Sequence, residues 1–184
     1  MGKEELLEKL LRSYESSFDV FPSYQLGDAF FDAYAAFDMT GAKYVLSKKA
    51  ELWRVQCYEH AFFRLRDVLT ADDVAAFREQ IIDRIEPELV RRGQPLPPPD
   101  HMYSYVTGIF LCDRITPEAE KAARAFRYNK NYRLTFRGYT QARLLVFDFS
   151  TGRLFGNGAA RKLKKGYRKI VPAFFAEEEG ESVS

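Results

Sequence analysis

Residues 102–126, MYSYVTGIFLCDRITPEAEKAARAF, decide the reading of the fold. Met102 to Cys112 is a continuous, largely apolar run rich in aromatic and β-branched residues, and it predicts a buried strand. Thr116 then stands at an N-cap position, Pro117 takes the first helical position, and Ala119, Ala122, Ala123 and Phe126 follow at helical spacing. Arg124 and Arg127 fall in the last turns, where cations suit the helix dipole. Strand, helix and further strand thus follow one another, which fits a parallel crossover.

Toward the C-terminus, Tyr132, Leu134 and Phe136 alternate with Arg133, Thr135 and Arg137, which predicts a strand with its aromatic face in the core. Arg143 to Phe149 and Arg153 to Phe155 flank the turn Ser150-Thr151-Gly152 and predict a hairpin. A last helix begins near Asn157 and sets Ala160, Leu163, Tyr167 and Ile170 on one side, with cations around the rest.

Toward the N-terminus, Thr70 and Asp73 form a capping box ahead of Val74, Phe77, Ile81 and Ile85, so a helix starts there and ends or kinks near Pro87. Gln94 to Asp100 carries four prolines and reads as a stiff surface connector. Earlier still, Ala29 to Asp38 and Tyr44 to Phe63 read as extended, joined by a turn at Met39-Thr40-Gly41 and preceded by a break at Phe21-Pro22. Leu6, Leu7, Leu10, Leu11 and Tyr14 make the stripe of a first amphipathic helix. The expectation is one α+β domain over residues 1–175, with a mixed, largely antiparallel sheet packed by helices in the order α-β-β-β-α-β-α-β-β-α. A flexible acidic tail, residues 176–184, follows it.

At 46% hydrophobic residues with 16 Phe and 11 Tyr, the chain is globular rather than disordered. No apolar run suits a signal peptide or a membrane span, and Cys57 and Cys112 sit in apolar runs, so a cytoplasmic protein without disulfides is expected.

The charges are unevenly placed. Arg124 to Lys169 holds thirteen Lys or Arg and a single acid, Asp148, within a chain of net charge +2. Residues 1–123 carry 15 bases and 21 acids, and the tail adds Glu177, Glu178, Glu179 and Glu181. A concentrated positive field attracts polyanions whatever the average charge. The expected function is therefore non-enzymatic binding of a polyanion, nucleic acid first, by Arg133, Arg137, Arg161, Lys162, Lys164, Lys165, Arg168 and Lys169. Aromatic residues among these cations, Tyr128, Tyr132, Phe136 and Tyr139, are of the type that stacks on unpaired bases. An acidic surface on a partner protein is the other partner expected for this block.

The competing reading is a metal-dependent phosphodiesterase in which Asp32, Glu51 and Glu59 converge on a divalent cation beside Lys49. A helix followed by three strands resembles the core of restriction-endonuclease-like nucleases, whose signature is an Asp and, on the next strand, an acid, one residue and a Lys. Lys49-Ala50-Glu51 runs in the reverse order. Cys57 and His60 have zinc half-site spacing and would need His101 and Cys112 to complete a site. His101 with Ser104 and its tyrosine neighbours supplies acid-base and nucleophile types, but no third group is seen to orient the histidine. No metal or cofactor is expected.

The phrases FDAYAAFDMTGAKYVLSKKAELW (31–53), YEHAFF (58–63) and HMYSY (101–105) resemble a family of uncharacterised bacterial proteins of about this length. That resemblance implies a bacterial single-domain protein and carries no catalytic residue.

Overall fold

A computed structural model describes residues 2–38 and 56–174 of the chain. Helix α1 (Lys3–Tyr14) is followed by β1 (Asp19–Leu26), β2 (Ala29–Asp38), β3 (Gln56–Leu69) and α2 (Ala71–Gln80). Then come β4 (His101–Ile115), α3 (Pro117–Ala125), β5 (Asn129–Asn131), β6 (Tyr139–Asp148), β7 (Arg153–Gly156) and α4 (Arg161–Ile170). The expected α+β class holds. The seven strands run β1-β2-β3-β4-β6-β5 across one mixed sheet, with β7 also paired to β6. Pairs β3–β4 and β4–β6 are parallel, and the remaining four are antiparallel.

The two parallel joins step in the same direction across the sheet, so both crossover helices belong on one face. There α2 and α3 bury Val74, Phe77, Ala119 and Ala123 against Phe62, Phe110 and Leu144. Gly108 allows helix and strand to approach closely: a Cβ at that position would come within 2.4 Å of the Phe77 ring. On the opposite face α1 and α4 bury Leu6, Leu10 and Tyr167 against Phe63, Ile109, Leu145 and Phe147.

Local chemistry explains the element starts. Thr70 accepts from Asp73 N while its own N–H donates to the Asp73 carboxylate at 3.0 Å, the reciprocal capping box. Thr116 accepts from Ala119 N, and Asn157 Oδ1 accepts from Leu144 N and Ala160 N, opening the path to α4.

Two expectations change and a third gains detail. The Phe21-Pro22 pair does not interrupt the chain but lies inside β1, an edge strand where a residue without an N–H is tolerated. Helix α2 gives way to a π-helix over Ile81–Val90 that carries Pro87 inside, and the helical path ends three residues beyond the proline. Residues 132–138 form a turn, not a strand, with Arg133, Leu134 and Thr135 at φ 47°, 53° and 76°. The turn at Met39-Thr40-Gly41, the stretch from Tyr44 to Val55 and the tail 176–184 lie outside the described residues.

Candidate functional site

Helices α1 and α4 cover the C-terminal halves of β3, β4 and β6. The alternation that buries Ala61, Phe63, Ile109 and Leu145 under them continues down each strand in steps of two. On the same face it presents Cys57 and Glu59 of β3, Tyr103, Tyr105 and Thr107 of β4, and Tyr139, Gln141 and Arg143 of β6. Register aligns Cys57, Tyr103 and Tyr139 in one row and Thr107 with Arg143 in another.

The three tyrosines are half-buried. Tyr103 and Tyr105 have ring centroids 4.9 Å apart, and the Tyr139 ring lies nearly parallel to Tyr103 at 6.0 Å. Beside them the Arg143 guanidinium rests over the Tyr105 ring, 3.3 Å from its centroid. Arg143 Nη1 also reaches Glu59 Oε1 at 3.5 Å, and its buried Nε has no protein partner among the described residues.

Glu59 joins this face to the helices. Burial raises its pKa, against the opposing pull of Arg143 and of the hydrogen bond donated by Thr107 at 3.2 Å. Both contacts fall on Oε1. Glu59 also lines a cleft of about 280 Å³ between α1 and α4, walled by Tyr14, Phe18, Leu163 and Tyr167. The Tyr14 and Tyr167 hydroxyls hydrogen-bond each other, and burial raises both phenol pKa values.

On α4, Arg161, Lys162, Lys165, Arg168 and Lys169 are exposed and Lys164 is half-buried. The helix has no acid among its ten residues, RKLKKGYRKI. Other cations of the basic block are committed to acids: Arg124 and Arg153 to Glu120, Lys130 to Glu86, and Arg143 to Glu59. Burial opposes ionisation of Glu86, but hydrogen bonds from Lys130, Tyr132 and Arg91 outweigh it and hold its pKa below the usual value.

Arg133 and Arg137 lie apart from α4 in sequence and element, in the left-handed turn before β6. Arg137 Nη2 donates to the Pro97 carbonyl at 2.9 Å, and the Arg137 carbonyl faces His101 Nδ1 at 3.0 Å. The expectation that Tyr132, Leu134 and Phe136 share a buried face is corrected here. Tyr132 is buried, whereas Leu134 and Phe136 are 87% and 88% exposed. Positive φ at three successive residues ends the two-residue alternation that the strand reading required.

Of the phosphodiesterase carboxylates, the two among the described residues, Asp32 and Glu59, are not brought together. Asp32 Oδ2 accepts from Leu65 N at 2.8 Å and so serves the sheet ladder. Glu59 pairs in register with Phe37, five residues from Asp32, which separates the two by roughly 16 Å at ~3.3 Å per residue. Ligands of one ion lie within roughly 2.6 Å of it. Lys49 and Glu51 lie outside the described residues, and no cluster of three metal-ligating side chains occurs among the described ones.

The zinc set is dispersed too. Cys57 and His60 are three apart on β3 and point to opposite faces, while His101 and Cys112 are eleven positions apart on β4. His60 Nδ1 meets the Tyr34 hydroxyl at 2.7 Å, and burial pushes its pKa down to about 4. His101 Nε2 meets Ser104 Oγ at 2.9 Å, but Ser104 is fully buried and no acid among the described residues contacts the ring. Both cysteines are free thiols.

Tyr103 and Tyr105 stand out in the sequence only as neighbours of Ser104 in a run that reads as buried, and Gln141 is not singled out there at all. The signal was there in the alternation of Tyr103 and Tyr105, matched by Tyr139, Gln141 and Arg143 on β6.

Comparison with known families matches residues 2–169 to one described as a domain of unknown function, DUF8052. No curated protein and no solved structure matches the chain. No helix among the described residues is long and apolar enough to cross a membrane.

Proposed function

Because the chain belongs to the DUF8052 family, which passes on no activity, we propose from its own residues that it binds single-stranded nucleic acid and catalyses no reaction. The observation that carries this reading is the half-exposed trio Tyr103, Tyr105 and Tyr139, set on the sheet face that also packs α4. Rings spread on a sheet surface accept unpaired bases by stacking, and duplex bases are not available to them. The cations of α4 supply phosphate contacts, whose cost in displaced counterions makes binding salt-dependent. Arg143, seated over the Tyr105 ring, adds a guanidinium plane to this surface. A bacterial, cytoplasmic setting fits this role and the buried free thiols.

The test is fluorescence anisotropy with single-stranded and duplex oligonucleotides over a salt series. Single strands should bind in preference to duplex. The fourfold change Arg161→Gln, Lys164→Gln, Lys165→Gln and Arg168→Gln should lower the log–log salt slope by roughly 0.7 for each phosphate that goes unneutralised. Absence of binding to single strands at low salt rules the reading out.

A second reading, a protein-interaction subunit, draws on Leu134 and Phe136, two large apolar side chains held out on one turn. Its signature is association that survives high salt and disappears in Leu134→Ser/Phe136→Ser, measured by light scattering.

A further inference from the structure

Two hydrogen-bonding groups in the cleft between α1 and α4 are left without protein partners among the described residues. The Tyr14–Tyr167 pair holds two hydroxyl hydrogens and uses one internally, so one O–H has no acceptor there. Glu59 receives Thr107 and Arg143 on Oε1, so Oε2 is an open acceptor. Tyr14, Tyr167 and Glu59 all line the cleft, which brings a spare donor and an open acceptor to its wall.

The cleft mouth is shaped by Gly166. A Cβ there would meet nothing within 4 Å, and its φ is not in the left-handed region. Neither packing nor backbone conformation requires glycine at this helical position, which weakens α4. Its effect is an opening beside Ser13 and Ile170, both exposed, leading down to Tyr14, Tyr167 and Glu59.

Resting on the single-strand reading above, we propose that this cleft seats one unstacked base bearing an amino group, cytosine or adenine, held at its amino edge by Glu59 Oε2. The cleft volume of about 280 Å³ is large enough for one base. The exocyclic amine donates to the carboxylate, the pairing by which acidic side chains read cytosine N4. The adjacent ring nitrogen accepts the unused tyrosine O–H. Uracil places a carbonyl oxygen where the amine would be, against the carboxylate oxygen, and leaves both acceptors opposed. Phe18 and Leu163 flank the ring plane, and cations on the outer side of α4 meet the phosphates.

The experiment compares oligocytidine and oligouridine of equal length by anisotropy at neutral pH, with wild type, Glu59→Gln and Gly166→Leu. Wild type should favour oligocytidine roughly tenfold, the scale of one charge-assisted hydrogen bond against an unpaired acceptor. Glu59→Gln carries an amide that both donates and accepts, so it should bring the two affinities within about twofold. Gly166→Leu fills the mouth from open space and should abolish the preference while thermal unfolding reports an intact fold. Equal affinities in wild type, or a preference that persists in both variants, overturn the cleft proposal and leave the single-strand reading standing. Failure of both oligonucleotides to bind overturns the two together.

Discussion

Arg143 and Tyr105 are stacked: the guanidinium carbon lies 3.3 Å from the ring centroid. This contact, with the Glu59 carboxylate at 3.5 Å, takes a cation out of the general positive field and fixes it as part of a flat surface. Tyr105→Ala should therefore remove both a ring and the seat of Arg143. Single-strand affinity should fall by about 1–3 kcal/mol with the salt slope nearly unchanged, and Tyr105→Phe should retain most of the binding. Anisotropy titrations at several salt concentrations measure both quantities.

His60 gives the fold an acid-side weakness. Its folded pKa is down to about 4, chiefly through burial, while the unfolded imidazole titrates near the ordinary value of about 6.5. As pH falls from about 6.5, the unfolded chain takes up a proton that the folded chain refuses, so stability declines until about pH 4. The loss is up to about 3 kcal/mol at ~1.36 kcal/mol per pH unit. Glu59 works in the opposite sense, because its raised pKa relieves strain on protonation. The clean measurement is thus the difference between wild type and His60→Gln in urea unfolding at several pH values, and the variant should lack this decline.

Glu86 is buried and takes hydrogen bonds from Arg91 at 2.8 Å, Lys130 at 2.9 Å and Tyr132 at 2.7 Å. Glu86→Ala leaves these donors without their acceptor and should cost about 2–4 kcal/mol, less than a fully enclosed pair because Lys130 and Arg91 reach solvent. Its depressed pKa means that stability is present above the ordinary carboxylate range and is lost as pH falls through it. Denaturant midpoints of the variant and wild type should converge in acid.

Two glycines on opposite sides of the sheet answer oppositely to alanine. Gly108→Ala drives a methyl into the Phe77 ring and should cost about 1–3 kcal/mol. Gly166→Ala adds a methyl to open space within a helix and should gain about 0.5–1 kcal/mol. Thermal unfolding of the two single variants checks the pair of signs.

Features built from neighbours along the chain are legible in the residues themselves. The Thr70 and Thr116 caps, the buried run of β4 and the hairpin at Ser150-Thr151-Gly152 each depend on a few adjacent residues. The turn at Arg133 to Thr135 is not legible, because its left-handed conformation is taken by residues whose alternation imitates a strand and which include no glycine or asparagine. The site is half legible. The cations of α4 stand out in the sequence, but the tyrosine face depends on register across β4 and β6. The commitment of Arg143 to Glu59 spans 84 residues, and no local pattern encodes it.

The hydroxyl contact between Tyr14 and Tyr167 spans 153 residues of chain. During synthesis α1 leaves the ribosome before the elements it packs on, and its apolar stripe cannot acquire its final cover until the sheet and then α4 have been made. Closing so long a loop is slow. Until the sheet is made Leu6, Leu7 and Leu10 remain an adhesive surface on a nascent chain, so chaperone occupancy should end only when translation has passed Phe147.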